Sequence, residues 1–129
     1  MTRAARPTPA RRLGDRGEAW ARRHLEGKGF VFVAANWRCP AGELDLVMRD
    51  GDEVVFVEVK TRRGDGAGRA EEAISAAKGR RLLAAGEWFL AGEPTLGEAI
   101  WRVDLVAITL DVTGEVRRLT HAVNAVALG

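Results

Sequence analysis

Apolar residues recur along this chain in two rhythms. From Asp15 to about Lys28 they fall at helical spacing, and Asp15 with Glu18 three residues later reads as a capping box. Gly27 and Gly29 supply the stop. The rhythm then shortens to the two-residue alternation of strands. FVFVAANWR from Phe30 is the first strand, ELDLVMR the second and EVVFVEVKT the third, with Asp50-Gly51-Asp52 as a hairpin turn between the last two. TRRGDGAGR, residues 61–69, reads as a basic, glycine-rich loop. Helical spacing returns from Ala70 to about Ala91. Ala73, Ile74, Ala77, Leu82, Ala85, Trp88 and Phe89 form its apolar stripe, and Gly79 and Gly86 are points of weakness or bending. IWRVDLVAITL is a fourth strand, Thr113-Gly114 turns into a short fifth, and VNAVALG is a closing turn. The order α-β-β-β-α-β-β predicts an α/β fold, a mixed β-sheet flanked by helices.

Composition narrows the class. The chain has 129 residues, 47% hydrophobic and 29% charged, which suits one globular domain. No apolar run is long enough for a membrane helix, and MTRAARPTPARRL lacks the apolar core of a secretory signal. We expect no membrane partner. Residues 1–12 read as a basic flexible arm and residues 13–129 as a single domain. One cysteine, Cys39, and two distant histidines, His24 and His121, offer no thiolate zinc site and little for histidine-centred catalysis. Both histidines read as surface or capping residues. A reducing, cytoplasmic location is the expectation. The net charge of +2 is unevenly spread: Arg3, Arg6, Arg11 and Arg12 sit in the arm, leaving 16 basic against 18 acidic residues. Nucleic-acid contact would therefore come from the arm and from local basic patches.

Candidate chemistry lies at the end of the third strand. Alternation places Val54, Phe56, Glu58 and Lys60 on one face and Val55, Val57 and Val59 on the other. A hairpin at Asp50-Gly51 would bring Asp45 beside Glu58. Two converging carboxylates repel unless neutralised, and a hard divalent cation such as Mg²⁺ does so with oxygen ligands. Such a metal polarises a phosphoryl oxygen and acidifies bound water, while a neighbouring lysine orients that water or stabilises charge on phosphate. Spacing alone also admits a second reading, in which Lys60 pairs with Glu58 or Asp45 and all three are solvated strand ends.

A wider set of motifs resolves the family. Gly17-Glu18-Ala19, Asn36-Trp37-Arg38, Gly42-Glu43-Leu44-Asp45-Leu46, Val57-Glu58-Val59-Lys60 with Arg62, then Lys78, Arg102-Val103-Asp104 and Asn124-Ala125 together resemble the bacterial YraN family of uncharacterised proteins. The resemblance runs from about Leu13, and GELDL followed by FVEVK-x-R is its most specific part. That family is similar to the PD-(D/E)XK nuclease superfamily, with a restriction-endonuclease-like core, and in layout to archaeal Holliday-junction resolvases. The resemblance implies Asp45, Glu58 and Glu18 as metal-site acids and Lys60 as the catalytic lysine, and the backbone carbonyl of Val59 reads as an added ligand. Leu44 stands where the superfamily has its nominal proline, and Val103 where the family has phenylalanine.

The expectation is a Mg²⁺- or Mn²⁺-dependent endonuclease-like protein acting on DNA, including branched DNA, as a homodimer. The alternative is a non-catalytic nucleic-acid-binding accessory protein on the same fold. Arg38, Arg62, Arg63, Arg69 and Lys78 are the expected phosphate contacts. Glu18 also reads as a cap, Glu43 as a strand-start surface acid, and Lys78 also as a snorkelling helix residue. Arg102 and Asp104 read as a buried or half-buried ion pair, with support of Lys60 or Lys78 as the other reading for Asp104. The four tryptophans read as core anchors, with base stacking as the other reading for Trp37.

Overall fold

A computed structural model describes residues 9–64, 74–96 and 98–126. Its elements are α1 (Pro9–Gly27), β1 (Val31–Cys39), β2 (Gly42–Asp50), β3 (Glu53–Arg63), α2 (Ala76–Ala91), a short 3₁₀ turn (Pro94–Leu96), β4 (Trp101–Leu110) and β5 (Val116–Ala122). The expected order α-β-β-β-α-β-β holds. The five strands form one mixed sheet in the order β1-β2-β3-β4-β5. Only β3 and β4 run parallel, and the chain between them crosses over through α2.

Alternation along β3 sends side chains to two separate cores. Val55 and Val57 join Leu46, Met48, Val106, Ile108 and Leu110 under Ala21 and Leu25 of α1. Val54 and Phe56 join Leu44, Val47 and Val103 under Leu82, Ala85, Phe89 and Leu90 of α2. One helix therefore covers each face, as an α/β sandwich requires.

Several element boundaries differ from the sequence reading. Helix α1 starts at Pro9, six residues before Asp15, so the Asp15–Glu18 capping box does not exist and Glu18 sits inside the helix. Proline at a helix start is tolerated because its missing N–H has no partner to lose there. Residues 1–8 of the expected arm lie outside the described residues. The far end stops as expected: Gly29 takes φ +95°, and Phe30 N–H donates to the Leu25 carbonyl at 3.0 Å.

Strand β3 runs on to Arg63, so Thr61, Arg62 and Arg63 are ladder residues rather than loop, paired with Ile108, Thr109 and Leu110. Arg69 and the rest of the glycine-rich segment from residue 65 lie outside the described residues. Helix α2 begins later than residue 70, capped by the Ser75 hydroxyl, which accepts from Lys78 N–H at 3.1 Å. Its stripe is also rotated. Ala77 and Trp88 are exposed, whereas Gly79 and Gly86 are buried. The glycines are contact points: a Cβ at Gly86 would stand 2.8 Å from Phe56 Cε2 and 3.1 Å from Trp101 Cζ3. Trp37 and Trp101 do anchor the core, edge-on to Phe89 and Phe56 at centroid distances of 5.2 Å and 5.4 Å. Trp20 and Trp88 are partly solvated instead.

Candidate functional site

Asp45 and Glu58 meet where β2 and β3 separate. The last paired residues of that hairpin are Leu46 and Val57. Beyond them, Val59 N–H donates to Asp45 Oδ2 at 2.9 Å, so a carboxylate takes over from the ladder as partner of this backbone donor. The parting has a local cause. Leu44 packs toward α2 and Leu46 toward α1, a reversal with Asp45 at its centre. Across from it, Asn36 on β1 takes φ +52°, and Ala35 and Trp37 pair with Leu46 and Leu44 on either side. The kink turns Asp45 toward Glu58, whose carboxyl feels its charge.

Electrostatics mark the pair as overloaded with negative charge. Glu58 is pushed up to about 8, by burial first and then by the neighbouring Asp45 charge, against the opposing pull of Lys78. Lys78 reaches down from the first turn of α2, with Nζ 3.6 Å from Glu58 Oε2. Glu18 comes from α1, on the other side of the sheet. Burial, followed by the Asp45 charge, raises it to about 7. Asp45 is thus the acid that both glutamates feel. Lys60 is half-buried and lies two residues beyond Glu58 on the same face of β3. Glu43, Asn36, Arg38 and Asp15 surround Glu18 in an open cleft of about 240 Å³. Arg38 is exposed and approaches Glu43 at 3.8 Å.

The donors suit a hard divalent cation. Asp45 and Glu58 offer only oxygen, no histidine or cysteine stands with them, and their excess charge is what a cation relieves. Among the described residues no three His, Cys, Asp or Glu side chains form a ready-made cage. Asp45 and Glu58 could hold a divalent cation that keeps several of its waters, as Mg²⁺ does.

Glu18 is brought near by an absent side chain. Gly17 is buried, and a Cβ there would lie 1.9 Å from Thr61 Oγ1 on β3. Among the described residues Thr61 Oγ1 has no hydrogen-bond partner, so its place is set by packing against the helix backbone. Gly17→Ala is expected to push α1 off the sheet, costing about 1–3 kcal/mol through overpacking, partly offset by a gain of up to ~1 kcal/mol in helix propensity. Adding Thr61→Ala should restore most of the loss in urea unfolding. A Gly17→Ala protein as stable as the parent would show that this contact does not set the helix position.

The raised glutamates carry a pH signature. An acid whose folded value lies above its unfolded 4.5 binds protons more tightly when folded, so stability of the metal-free protein falls as pH rises. For Glu58 the window runs from about 4.5 to about 8. Glu58→Gln should therefore leave stability nearly unchanged at pH 4.5 and raise it by about 2 kcal/mol at pH 8 in EDTA. The lost Lys78 contact is 41% exposed on the lysine side and offsets little. Parallel stability curves for the two proteins across this range would refute the assignment.

Other expected residues are dispersed. Arg62 and Arg63 are consecutive on β3 and project to opposite faces, Arg62 with Lys60 and Arg63 away from it. Asp104 is on the α1 face, so the sheet separates it from Lys60 and Lys78, and its support of either lysine is ruled out. The expected ion pair is present, with Arg102 Nε 3.0 Å from Asp104 Oδ1. Arg102 also binds Glu53, and it reaches Asp50 at 3.2 Å. His121 is not a surface residue: its side chain is 4% exposed, its Nε2 lies 2.7 Å from Asp104 Oδ2, and Lys28 Nζ approaches its Nδ1 at 3.0 Å. Sequence reading missed this cluster because its members lie far apart in the chain. The one signal available was a lone aspartate inside the apolar run of β4.

The chain was compared with known proteins. The family model described as uncharacterised protein family UPF0102 matches residues 17–108. A UPF0102 protein of Roseiflexus castenholzii is 44% identical, over 89% of this chain and 93% of its own. One from Chloroflexus aurantiacus is 46% identical over 80% and 83%, and one from Pseudomonas putida 47% identical over 81% and 83%. Among solved structures, that of Pyrococcus furiosus SfsA in complex with Ca²⁺ is similar at 15% identity and TM-score 0.42, covering 92% of this chain and 65% of that one. Acid-bearing β2 and β3 both fall inside the matched span, and the chain belongs to the UPF0102 family, the YraN family of the sequence resemblance.

Proposed function

We propose that the protein is a Mg²⁺- or Mn²⁺-dependent endonuclease-like hydrolase of DNA phosphodiester bonds. The observation that carries the reading is the convergence of Asp45 and Glu58 at the parting of β2 and β3, where Asp45 binds Val59 N–H, with Lys60 on the Glu58 face. The similarity of GELDL and FVEVK to PD-(D/E)XK nucleases supports it. Asp45, Glu58 and the Val59 carbonyl would hold the metal. When bound, such a cation polarises a phosphoryl oxygen and lowers the pKa of its water. Glu18, raised to about 7, is suited to exchanging a proton with water near neutrality. Lys60 places its positive charge where negative charge grows on the attacked phosphate. Water adds its oxygen to phosphorus, the bond to the leaving sugar oxygen breaks, and that oxygen takes up a proton.

The test is a panel of labelled single-stranded, duplex, flap and four-way-junction DNAs, incubated with Mg²⁺, Mn²⁺ or EDTA. Metal-dependent cutting that Glu58→Ala abolishes is the expected result. Binding without cutting under every metal would favour the accessory-protein reading. The same panel names the preferred DNA structure.

A further inference from the structure

Beyond Glu58, the α2-side face of the sheet turns basic, and its residues come from three strands. The ladder pairs Lys60 with Ala107 and Arg62 with Thr109 in parallel register. Antiparallel pairing carries the same rows onto β5, where Ala107 meets Thr120 and Thr109 meets Arg118. Direct partners in a sheet project to the same face. The neighbouring positions confirm which face this is. Thr61, Ile108 and Leu119 form the intervening row, and Ile108 and Leu119 pack in the core beneath α1. Lys60, Arg62, Thr109, Arg118 and Thr120 therefore share the opposite face, next to Lys78 and its contact with Glu58.

The buried residues of α2 pack on the lower rows of this face. Their buried contacts are with Val54, Phe56 and Val103, below Glu58. Arg62 and Arg118 are both exposed. Strand geometry places Arg62 about 7 Å beyond Lys60 along β3 and Arg118 about 10 Å across the sheet from Arg62. Thr109 lies between the two arginines, and Thr120 and the buried Ala107 form the row beside them. Arginines spaced along a polar surface leading away from an acidic pair suit a polyanion whose one phosphate sits at the acids and whose next phosphates need neutralising.

We propose that Arg62 and Arg118 form a phosphate track across β3, β4 and β5 that holds the nucleic-acid backbone leading away from the Asp45–Glu58 pair. This rests on the nuclease-like reading of that pair. It adds β5 to the binding surface and leaves Arg63, on the other face, outside the track.

Fluorescence anisotropy in EDTA tests it, with a labelled 20-nucleotide single strand and a 20-base-pair duplex over a salt series. Arg118→Ala and Arg62→Ala should each weaken binding about 3- to 10-fold and lower the slope of log affinity against log salt by about 1. Arg118→Lys should recover most of the affinity, and Arg23→Ala, on exposed α1 against Trp20, should bind as the parent does. Parent binding with an unchanged constant and slope in Arg118→Ala would overturn the track and leave the nuclease reading standing. A parent protein that binds neither DNA would remove the nuclease reading and the track together.

Discussion

Asp45→Asn is expected to reduce metal-dependent DNA cleavage by at least ~10³-fold, a loss of about 4 kcal/mol of transition-state stabilisation. The substitution is chosen for what it keeps. An amide oxygen can still accept from Val59 N–H, so the backbone at the parting of β2 and β3 has its partner. What disappears is the charge, and with it one of the two carboxylates available to a divalent cation. The same change lowers Glu58 toward its ordinary range, because the second-ranked influence raising it is the Asp45 charge. The variant should therefore be at least as stable as the parent without metal, and Mg²⁺ or Mn²⁺ should raise the parent's Tm but not the variant's. Lys60→Ala should lower cleavage about 10²- to 10³-fold and leave the metal-induced rise in Tm in place. Initial rates on the preferred DNA, with Tm measured in EDTA and in Mg²⁺, check all of this. Retained cleavage in either variant takes that residue out of the mechanism.

Asp104→Ala is expected to cost about 3–5 kcal/mol of folding stability, the largest such effect of any single substitution considered for this chain. Asp104 is fully buried and is the junction of three partners. Arg102 donates to it at 3.0 Å, His121 Nε2 lies at 2.7 Å, and Asn124 N–H donates at 2.9 Å from a residue held at φ +54°. Alanine would leave the buried His121 imidazole without its acceptor and Arg102 with only its outer contacts to Glu53 and Asp50. Burial alone would raise the Asp104 carboxyl, but the hydrogen bonds from His121, Arg102 and Asn124 outweigh it, and the group is held below its ordinary 3.8. The sign of the pH dependence follows. A carboxyl with a lowered folded value contributes stability that is present above 3.8 and lost as pH falls through its folded value. Asp104→Asn should lack this loss, so its stability should converge toward the parent's in acid. Urea unfolding at pH 7 and pH 3 checks both points. An alanine variant within 1 kcal/mol of the parent would mean that the cluster is dispensable to the fold.

Local pattern carried much of the fold. Period-two alternation from Val54 to Lys60 placed Glu58 and Lys60 on one face, and the sheet keeps them there, facing the α2 side. Asp50-Gly51-Asp52 set the hairpin, with Gly51 at φ +60°, and the hairpin set Asp45 opposite the end of β3. These are short-range properties: a strand's faces follow from its pleat, and a two-residue turn fixes its own register. The resemblance named the family that the comparisons then showed.

Boundaries failed where local signals were ambiguous. Asp15 followed by Glu18 has the look of a helix start, yet Pro9 opens α1, because a capping pair is equally at home on the surface of a longer helix. The sequence stripe includes the exposed Ala77 and Trp88 because glycine counts as a breaker in sequence, while in the fold Gly86 is buried so that Phe56 and Trp101 can approach. In sequence Arg62 and Arg63 read as parts of one basic loop, but extension of β3 sends them to opposite faces.

By itself, then, the sequence determined the elements, their order, the faces of β3 and the placement of Asp45 beside Glu58. Tertiary structure alone decided what those groups meet. Parallel pairing of β3 with β4 and the return of β5 align Arg62 with Arg118 and Asp104 with His121. The reversal at Asn36 and Asp45 opens the sheet so that Glu18 from one face and Glu58 from the other both act on Asp45. Chain periodicity tells each side chain which way to point, within a few residues. Contacts between residues tens of positions apart depend on which strands pair and how closely helices settle, and those follow from packing two cores on one sheet.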